Sequence, residues 1–470
     1  MRACALMFLM VGACIGAVAQ VPPVLTREAF VRLVLENHPI ARQAALRPAL
    51  GEATVRSARG AFDPMAVANY DEKRYDDKTY FELFNAGLKV PTWYGVELFA
   101  GYEENNGDLL NPESSTPDDG LLKVGGQVSL GQGLLIDQRR ATLRKSQAYL
   151  RGTQAEQEQL LNDLLLQALS DHTDWVAAYR AERIAVEALE LAQLRFNAVR
   201  GSWQGGDRPA IDTLEAFLQV QDRQMRQQLA ALAFRNAGLR LSDHLWNAAQ
   251  QPLELQPNVV PEPADLLSPG SFQLADTAMT NALAHHPLLA QASARIDQLE
   301  IDRRLRSEYL KPELDLQYQW LGNGASFSDD GTYPLLAQGH RFGVGFQVPL
   351  FLRKERGELT LAKLRLTDAG LGLERDRLRI RNRIGERANN IEVLTAQVRL
   401  GSDMVLNNER LLSGENQRFV AGESSLFLVN AREVPLIDAR IRQVDLEARL
   451  RKAYFGLEHE AGTLWRSWNR

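Results

Sequence analysis

The fold is decided by residues 127–140, QVSLGQGLLIDQRR, where an alternating strand turns through two glycines into a very long helical pattern. Between Ile136 and Arg200 there is no proline and only one glycine, Gly152. Apolar residues recur there at steps of three, four and seven, which predicts an amphipathic or coiled-coil helix. They are Leu161, Leu165, Leu169, Val176, Tyr179, Val186, Leu189 and Phe196. A helix of about 65 residues is about 100 Å long, so it must belong to a tube, a rod or a bridge.

The same strand-to-helix design returns in the second half of the chain. A strand ends at Val348-Pro349-Leu350, and no proline follows until Pro435. The two halves match in three blocks that keep their order, which predicts a tandem duplication. The blocks pair Leu35, His38, Pro39, Pro64 and Tyr70 with Leu283, His286, Pro287, Pro312 and Tyr318; residues 127–130 with 347–350; and Arg195-Phe196 and Gly206-Asp207 with Arg418-Phe419 and Gly422-Glu423.

Composition limits the class of protein. The 470 residues carry a net charge of −5 and 24% charged residues, which gives no basic field for nucleic acid. Residues 1–19 join an apolar run to the small-residue ending Ala-Val-Ala, and this pattern predicts a secretory signal peptide cleaved before Gln20. Both cysteines, Cys4 and Cys14, lie inside that segment. The sequence VGAC at 11–14 also resembles a lipobox, so lipidation at Cys14 is the alternative.

The mature chain then divides into two repeats and a linker. The first repeat covers 20–251, a proline-rich linker covers 252–271, and the second repeat covers 272–470. Predicted strands lie at about 64–73, 79–90, 93–103 and 120–130 in the first repeat and at 310–320 and 341–350 in the second; the long helical hairpins are 136–247 and 353–468. The first extended region is longer than one hairpin requires. It predicts either an extracellular elaboration or two extra strands.

The second repeat's strands alternate between apolar and polar residues. The apolar positions are Leu314, Leu316, Tyr318 and Trp320 in one strand and Phe342, Val344, Phe346 and Val348 in its partner. Such strands fit a transmembrane β-barrel, with these eight side chains facing lipid. A half-buried sheet in a soluble sandwich alternates in the same way. Export and the attached long helices favour the barrel, and four strands cannot close one alone, so several chains must combine.

These features resemble the TolC-type outer membrane efflux protein family over essentially the whole mature chain. The resemblance rests on the duplicated layout, the His-Pro breaks at 38–39 and 286–287, the strand end VPLF at 348–351, and the two hairpin sequences 195–216 and 418–423. It implies a mainly α fold, tandem-duplicated and TolC-like, with a membrane β-barrel. Three chains would share twelve strands, four from each, continued by a helical tunnel into the periplasm.

The family resemblance also implies location, role and partners. The protein would be the outer membrane exit duct of a tripartite efflux or type I secretion system, extending into the periplasm. Its partners would be two further copies, outer membrane lipid, a periplasmic adaptor and an inner-membrane transporter. The alternatives are a periplasmic adaptor, which should show one hairpin between lipoyl-like halves, and a structural coiled-coil envelope protein, which would not explain the apolar strand faces.

The candidate functional residues lie at the two hairpin turns. Adaptor docking is predicted at Gly201, Gly205, Gly206, Asp207, Arg208, Gly422 and Glu423. Compared with the second turn, the first is expected to contain about seven additional residues, counted from the Arg-Phe pairs. At the periplasmic mouth, Asp212, Glu215 and Glu423 are candidates for an acidic ring, although Leu428 and Asn430 stand where further acids are expected. Asp212 and Glu215 equally suit the positive start of a helix.

Motifs for catalysis are not found in the sequence, so neither an enzyme activity nor a cofactor is expected. His38, His285 and His286 are the only clustered candidates for metal ligands, and no spaced carboxylate or cysteine set accompanies them. Their position beside prolines predicts a role in helix breaks. Pro48 is likewise expected to break or kink its helix, and Pro435 is expected to kink the last helix.

Overall fold

The computed structural model describes residues 24–262, 275–323 and 339–468. The predicted signal peptide, the cleavage point before Gln20, the lipidation candidate Cys14 and part of the predicted linker lie outside these residues. The described strands are β1 (Val24–Leu25), β2 (Met65–Tyr75), β3 (Lys78–Pro91), β4 (Val96–Asn106), β5 (Leu121–Ser129), β6 (Val260–Pro261), β7 (Glu313–Asn323) and β8 (His340–Gln347). The helices are α1 (Arg27–Asn37), α2 (Pro39–Arg59), α3 (Gln138–Gln204), α4 (Ala210–Ser242), α5 (Ala275–His285), α6 (Pro287–Glu308), α7 (Arg353–Val420), α8 (Leu426–Glu460) and α9 (Leu464–Trp468).

Two compact units share these elements. Unit 1 comprises Met1–Arg42, Leu161–Met279 and Arg383–Arg470. Unit 2 comprises Gln43–Leu160 and Thr280–Asn382. Each unit therefore combines segments from both halves of the sequence, and α3 and α7 contribute residues to both units.

Unit 2 contains one six-stranded antiparallel sheet in the order β2-β3-β4-β5-β7-β8. The first half of the sequence supplies four of these strands and the second half two. The sheet therefore contains two strands more than the four per chain that the family resemblance implies for the barrel. The long extended region of the first repeat forms two extra strands, because β3 pairs with β4 from Glu82↔Asn106 to Pro91↔Glu97 and with β2 along its other edge.

The register of the sheet gathers apolar side chains on one face. Leu314, Leu316 and Tyr318 lie opposite Phe346, Val344 and Phe342. The same face continues through all six strands with Ala66, Ala68, Tyr70, Phe84, Ala86, Leu88, Val90, Val96, Leu98, Ala100, Tyr102, Leu122, Val124, Val128 and Trp320. The other face carries mostly polar, charged or glycine residues. The expected strand 341–350 ends early, at Gln347, because Pro349 has no N–H to donate, so Val348 lies beyond β8.

Helix ends cover one end of this sheet within unit 2. Val55, Ala58 and Phe62 at the end of α2 pack with Leu143 of α3. The ring of Phe62 stacks on Trp93, in the turn between β3 and β4, with 4.1 Å between ring centroids. The chain thus passes from α2 into β2 beside the point where β3 turns into β4.

Both predicted His-Pro breaks are confirmed as the starts of helices. His38 precedes α2 and its Nδ1 accepts a hydrogen bond from the Ile40 N–H at 3.2 Å. His286 precedes α6 and its Nδ1 accepts from the Leu288 N–H at 3.1 Å. Proline at the first helical position loses no hydrogen bond, so each His-Pro pair stops one helix and caps the next. By contrast, α2 and α8 continue through Pro48 and Pro435.

Unit 1 buries a cluster of aromatic rings around Phe30. The ring of Phe30 stacks on His172 at 5.2 Å, and His244 lies 5.9 Å from His38. Burial and then the nearby His244 lower the pKa of His38 from 6.5 to about 4. Burial and then the charge of Arg27 lower the pKa of His172 to about 3. Both imidazoles are therefore kept neutral in the folded protein.

Acid should destabilise unit 1 through these histidines. Below pH 6.5 the unfolded chain binds protons that folded His38 does not bind until about pH 4, so stability is full above pH 6.5 and is lost as pH falls. In His38→Asn, which keeps a capping oxygen and cannot titrate, the loss of unfolding free energy over this range should shrink by about 3 kcal/mol. Thermal unfolding followed by circular dichroism at several pH values measures it. His285→Asn, at an exposed position, is the control, and identical pH profiles for His38→Asn and the parent would contradict the assignment.

Candidate functional site at the helical tips

Two tight turns of equal length end the long helices of unit 1. Tip 1 is residues 205–209, between α3 and α4, and tip 2 is residues 421–425, between α7 and α8. Gly206 has a φ of 86° and Gly422 a φ of 79°, a conformation that favours glycine. The Asp207 N–H donates to the Ser202 carbonyl at 2.9 Å, and the Glu423 N–H donates to the Arg418 carbonyl at 2.8 Å. Both turns therefore end their helices with the same type of glycine-based C-terminal motif.

The expected seven additional residues in tip 1 are wrong. The two glycines differ by 216 positions (422 − 206), whereas Arg195 and Arg418 differ by 223. The Arg-Phe pairs were thus matched seven residues out of register. Seven residues are about two helical turns, so this shift keeps the same side of the helix and is hard to detect from pattern. Trp203 is the true counterpart of Phe419, and Gly201 lies within α3 and outside tip 1.

One apolar core joins the two tips. Val199, Ala216 and Leu426 are buried together, with Phe196 and Phe419 packed against them. The guanidinium of Arg208 lies 4.9 Å from the centre of the Phe419 ring, a cation–π contact between the tips. The two tips therefore form one continuous surface.

The predicted acidic residues differ in their surroundings. Asp212 is half-buried in the first turn of α4, with its carboxylate 3.4 Å from Nη1 of Arg208. Glu215 is half-buried one turn later, and Glu423 is exposed in tip 2. Arg208 partly neutralises the charge of Asp212. Glu215 and Glu423 therefore supply most of the negative charge of the three predicted acids.

An ion-pair network that the sequence did not reveal lies behind the tips. Nη1 of Arg195, on α3, lies 2.7 Å from Glu433 and 2.9 Å from the side-chain oxygen of Asn430, both on α8. Glu433 is 5% exposed, and the nearby Arg223 of α4 is 2% exposed. Asn430, which stands where an acid was expected, thus accepts a hydrogen bond. The network fixes α8 against α3.

A second buried acid supports tip 2. Glu415 on α7 is 6% exposed and accepts a hydrogen bond of 2.6 Å from the hydroxyl of Ser424. Nε of Arg432, on α8, lies 3.7 Å away from its other oxygen. The carboxylate thereby connects α7, tip 2 and α8.

Removal of Arg195 should destabilise unit 1 more than removal of an exposed arginine. Arg195→Met leaves the buried carboxylate of Glu433 without its closest cation, and we expect a loss of about 3 kcal/mol in unfolding free energy. Arg226→Met is the matched control, because its partner Asp438 and Arg226 itself are 53% and 41% exposed, and the expected loss is below about 1 kcal/mol. Chemical denaturation measures both.

The double variant Arg195→Met with Glu433→Met should recover stability relative to Arg195→Met alone, because it removes the unpaired charge. Equal losses of unfolding free energy in the Arg195 and Arg226 variants would show that the network does not stabilise the packing of α8.

Among the described residues, no group of three or more histidine, aspartate or glutamate side chains is placed to hold a metal ion. No described helix is both long enough and apolar enough to span a membrane.

Comparison with a family model identifies the second repeat. Residues 278–463 match the family described as outer membrane efflux protein. None of the curated protein sequences matches the chain.

Comparison with solved structures identifies the fold of the whole chain. The CmeC outer membrane channel of Campylobacter jejuni superposes with a TM-score of 0.61 at 13% identity, over 93% of this chain and 85% of that one. The outer membrane protein VceC of Vibrio cholerae gives 0.61 at 15% identity, over 92% and 95%. The MtrE outer membrane channel of Neisseria gonorrhoeae gives 0.61 at 16% identity, over 93% and 88%.

Identities this low establish the fold alone. The second repeat thus matches the outer membrane efflux protein family, and more than nine-tenths of the chain has the fold of outer membrane channels.

Proposed function

We propose that this protein is the outer membrane exit duct of an efflux or type I secretion system. Substrates would pass through it passively from the periplasm and an inner-membrane pump to the exterior. The single observation that carries the proposal is the six-stranded sheet with one apolar face, attached to helices that end in two joined tips. The family domain supports the same role.

The apolar face is the part of the sheet suited to lipid. Phe342, Val344 and Phe346 are 59%, 57% and 67% exposed, and Tyr70 at the opposite edge is 61% exposed. An apolar face spread over six strands is far larger than the patches that soluble proteins leave in water. A soluble sandwich would bury this face beneath a second sheet, and the described residues contain no such layer. Outer membrane lipid is the partner that this face fits.

The exposed side of α4 supports assembly with further copies. Its apolar side chains recur at steps of three, four and seven, as in the seam of a coiled coil. Leu214, Leu218, Met225, Leu229, Leu232 and Leu239 are each at least half exposed. We propose that helices of neighbouring copies cover this seam in a homotrimer, as the family resemblance implies.

Membrane insertion can be tested by substitutions at two residues that lie on adjacent strands and on opposite faces of the sheet. Val344→Asp places a charge on the apolar face and should remove the protein from the outer membrane fraction, because a charge facing lipid is costly. Gln317→Asp, on the polar face opposite Gly343, should leave trimers in that fraction. Membrane fractionation followed by gel analysis of gently solubilised protein measures both. Recovery of the parent as a soluble periplasmic monomer would overturn the proposed function.

The tips are the proposed docking surface for a periplasmic adaptor. The positions of the two tip glycines are open, with no heavy atom within 4 Å of a Cβ built at either one. Free helix ends and close backbone access suit contact with the helical tip of a partner. Glu215 and Glu423, with Asp212 held by Arg208, remain candidates for an acidic ring at the mouth, in three copies around the axis of a trimer.

Strain at the tip glycines should impair export without loss of the channel. Gly206→Val with Gly422→Val forces a β-branched residue into the left-handed region and displaces both turns. Efflux of a fluorescent dye from the native host should fall several-fold, while trimers still reach the outer membrane. Gly201→Ala, in the helical backbone of α3, is the control. Normal efflux by the double variant would argue against docking at the tips.

A further inference from the structure

We infer that β2 of one copy pairs with β8 of the next, so that three copies close an eighteen-stranded barrel, six strands from each. This inference rests on the trimer of the proposed function and deepens it. The barrel is then half as wide again as a twelve-stranded one, because diameter grows about linearly with strand number. The β2–β3 hairpin is the element that widens it.

Strand direction permits this closure. The sheet has six strands, and every neighbouring pair is antiparallel. Because six is even, the edge strands β2 and β8 run in opposite directions. A second copy placed edge to edge therefore continues the antiparallel ladder without interruption, and repetition of this head-to-tail contact closes a ring.

Over its first six residues, the edge strand β2 lacks the features that keep a free edge from pairing. It has 11 residues, all of them exposed. Residues 65–70, MAVANY, contain neither a proline nor a charge, and the charged residues follow at 71–74. A long, uncharged edge is a template for another strand. In a membrane its free N–H and C=O groups must be paired, since no water reaches them.

Both edge strands carry the same two faces as the centre of the sheet. The even-numbered residues at 66–70 of β2 and at 342–346 of β8 are apolar, as in Ala68, Tyr70, Phe342 and Val344. Odd-numbered residues, such as Asn69 and Arg341, lie on the polar face. Slippage by one residue would reverse the faces, so β2 and β8 must pair even with even and odd with odd.

The hairpin belongs to the wall of the barrel over its full height. It joins β4 through ten paired residues, and its own turn is the tight pair Asp76 and Asp77, each with a φ of 54°. Its apolar side chains lie level with those of the other strands, at Leu88↔Ala100 and Val90↔Leu98. An elaboration above the membrane would need neither this pairing nor this face.

The consequence is a wide aqueous passage at the outer membrane. Barrels of 16 to 18 strands leave an open channel. Several polar-face positions are glycine, which keeps side chains out of the lumen; they are Gly87, Gly101, Gly125, Gly343 and Gly345. The barrel therefore admits bulkier cargo than a twelve-stranded one, and selection by size falls to the periplasmic end.

Disulfide trapping in the assembled protein tests the seam. Asn69→Cys is combined in turn with Arg341→Cys, Gly343→Cys or Gly345→Cys, all on the polar face, and outer membranes are oxidised. Opposed residues on paired strands have Cα atoms about 5 Å apart, within disulfide reach. We expect covalent dimers and trimers on a denaturing gel for at least one of the three combinations.

Three comparisons keep the test specific. Asn69→Cys with Val344→Cys, on opposite faces, and Asn69→Cys with Gln317→Cys, one strand in from the edge, should both remain monomeric. Gly101→Cys of β4 combined with the same β8 cysteines should also remain monomeric, because two strands separate β4 from the seam. Cross-linking from Gly101 would show a twelve-stranded barrel and overturn the inference.

Different results would contradict the β2–β8 seam and the proposed function. Intact trimers in the outer membrane without any β2–β8 cross-link contradict the seam alone. Absence of the parent chain from the outer membrane contradicts the proposed function itself.

Discussion

The structure depends on an alternation of apolar and polar side chains that stays in register across the central part of six strands. Antiparallel pairing joins even-numbered residues to even-numbered residues, apart from the register shift after Lys73 of β2, so the sheet has one face suited to lipid and one suited to water. The described residues contain no second layer that buries the apolar face. In the proposed function, lipid covers that face and further copies of the chain pair with the free edges.

The helices meet a different requirement, which is to remain regular over 67 and 68 residues. Neither long helix contains proline, although α7 keeps six glycines within it. His-Pro pairs start α2 and α6, and glycines with positive φ end α3 and α7. Between those ends, buried acids such as Glu433 and Glu415 join helices through arginine and serine partners. The tips are thus fixed by polar contacts behind them and by one small apolar core.

Local signals in the sequence predicted much of this fold. Proline after histidine, glycine at the tips and alternating strands each act within a few residues, so the breaks, the turns and all six large strands were predicted close to their observed positions. Errors arose where pattern repeats: a shift of seven residues leaves a helix face unchanged, which hid the equality of the tips. The sequence placed the strands of the extra hairpin, but it left open whether they extend the sheet or form an extracellular elaboration. The bond from Arg195 to Glu433 was missed because it joins residues 238 positions apart and depends on how α3 and α8 pack.

The most direct test of the central claim is accessibility of spin labels along β7 in protein reconstituted into lipid bilayers. Nitroxides would be placed one at a time at Leu316, Gln317, Tyr318 and Gln319. We expect a period of two: the even-numbered labels collide with oxygen dissolved in lipid, and the odd-numbered labels collide with a water-soluble nickel complex. Equal exposure of all four labels to the nickel complex would contradict the claim that this sheet is a membrane wall.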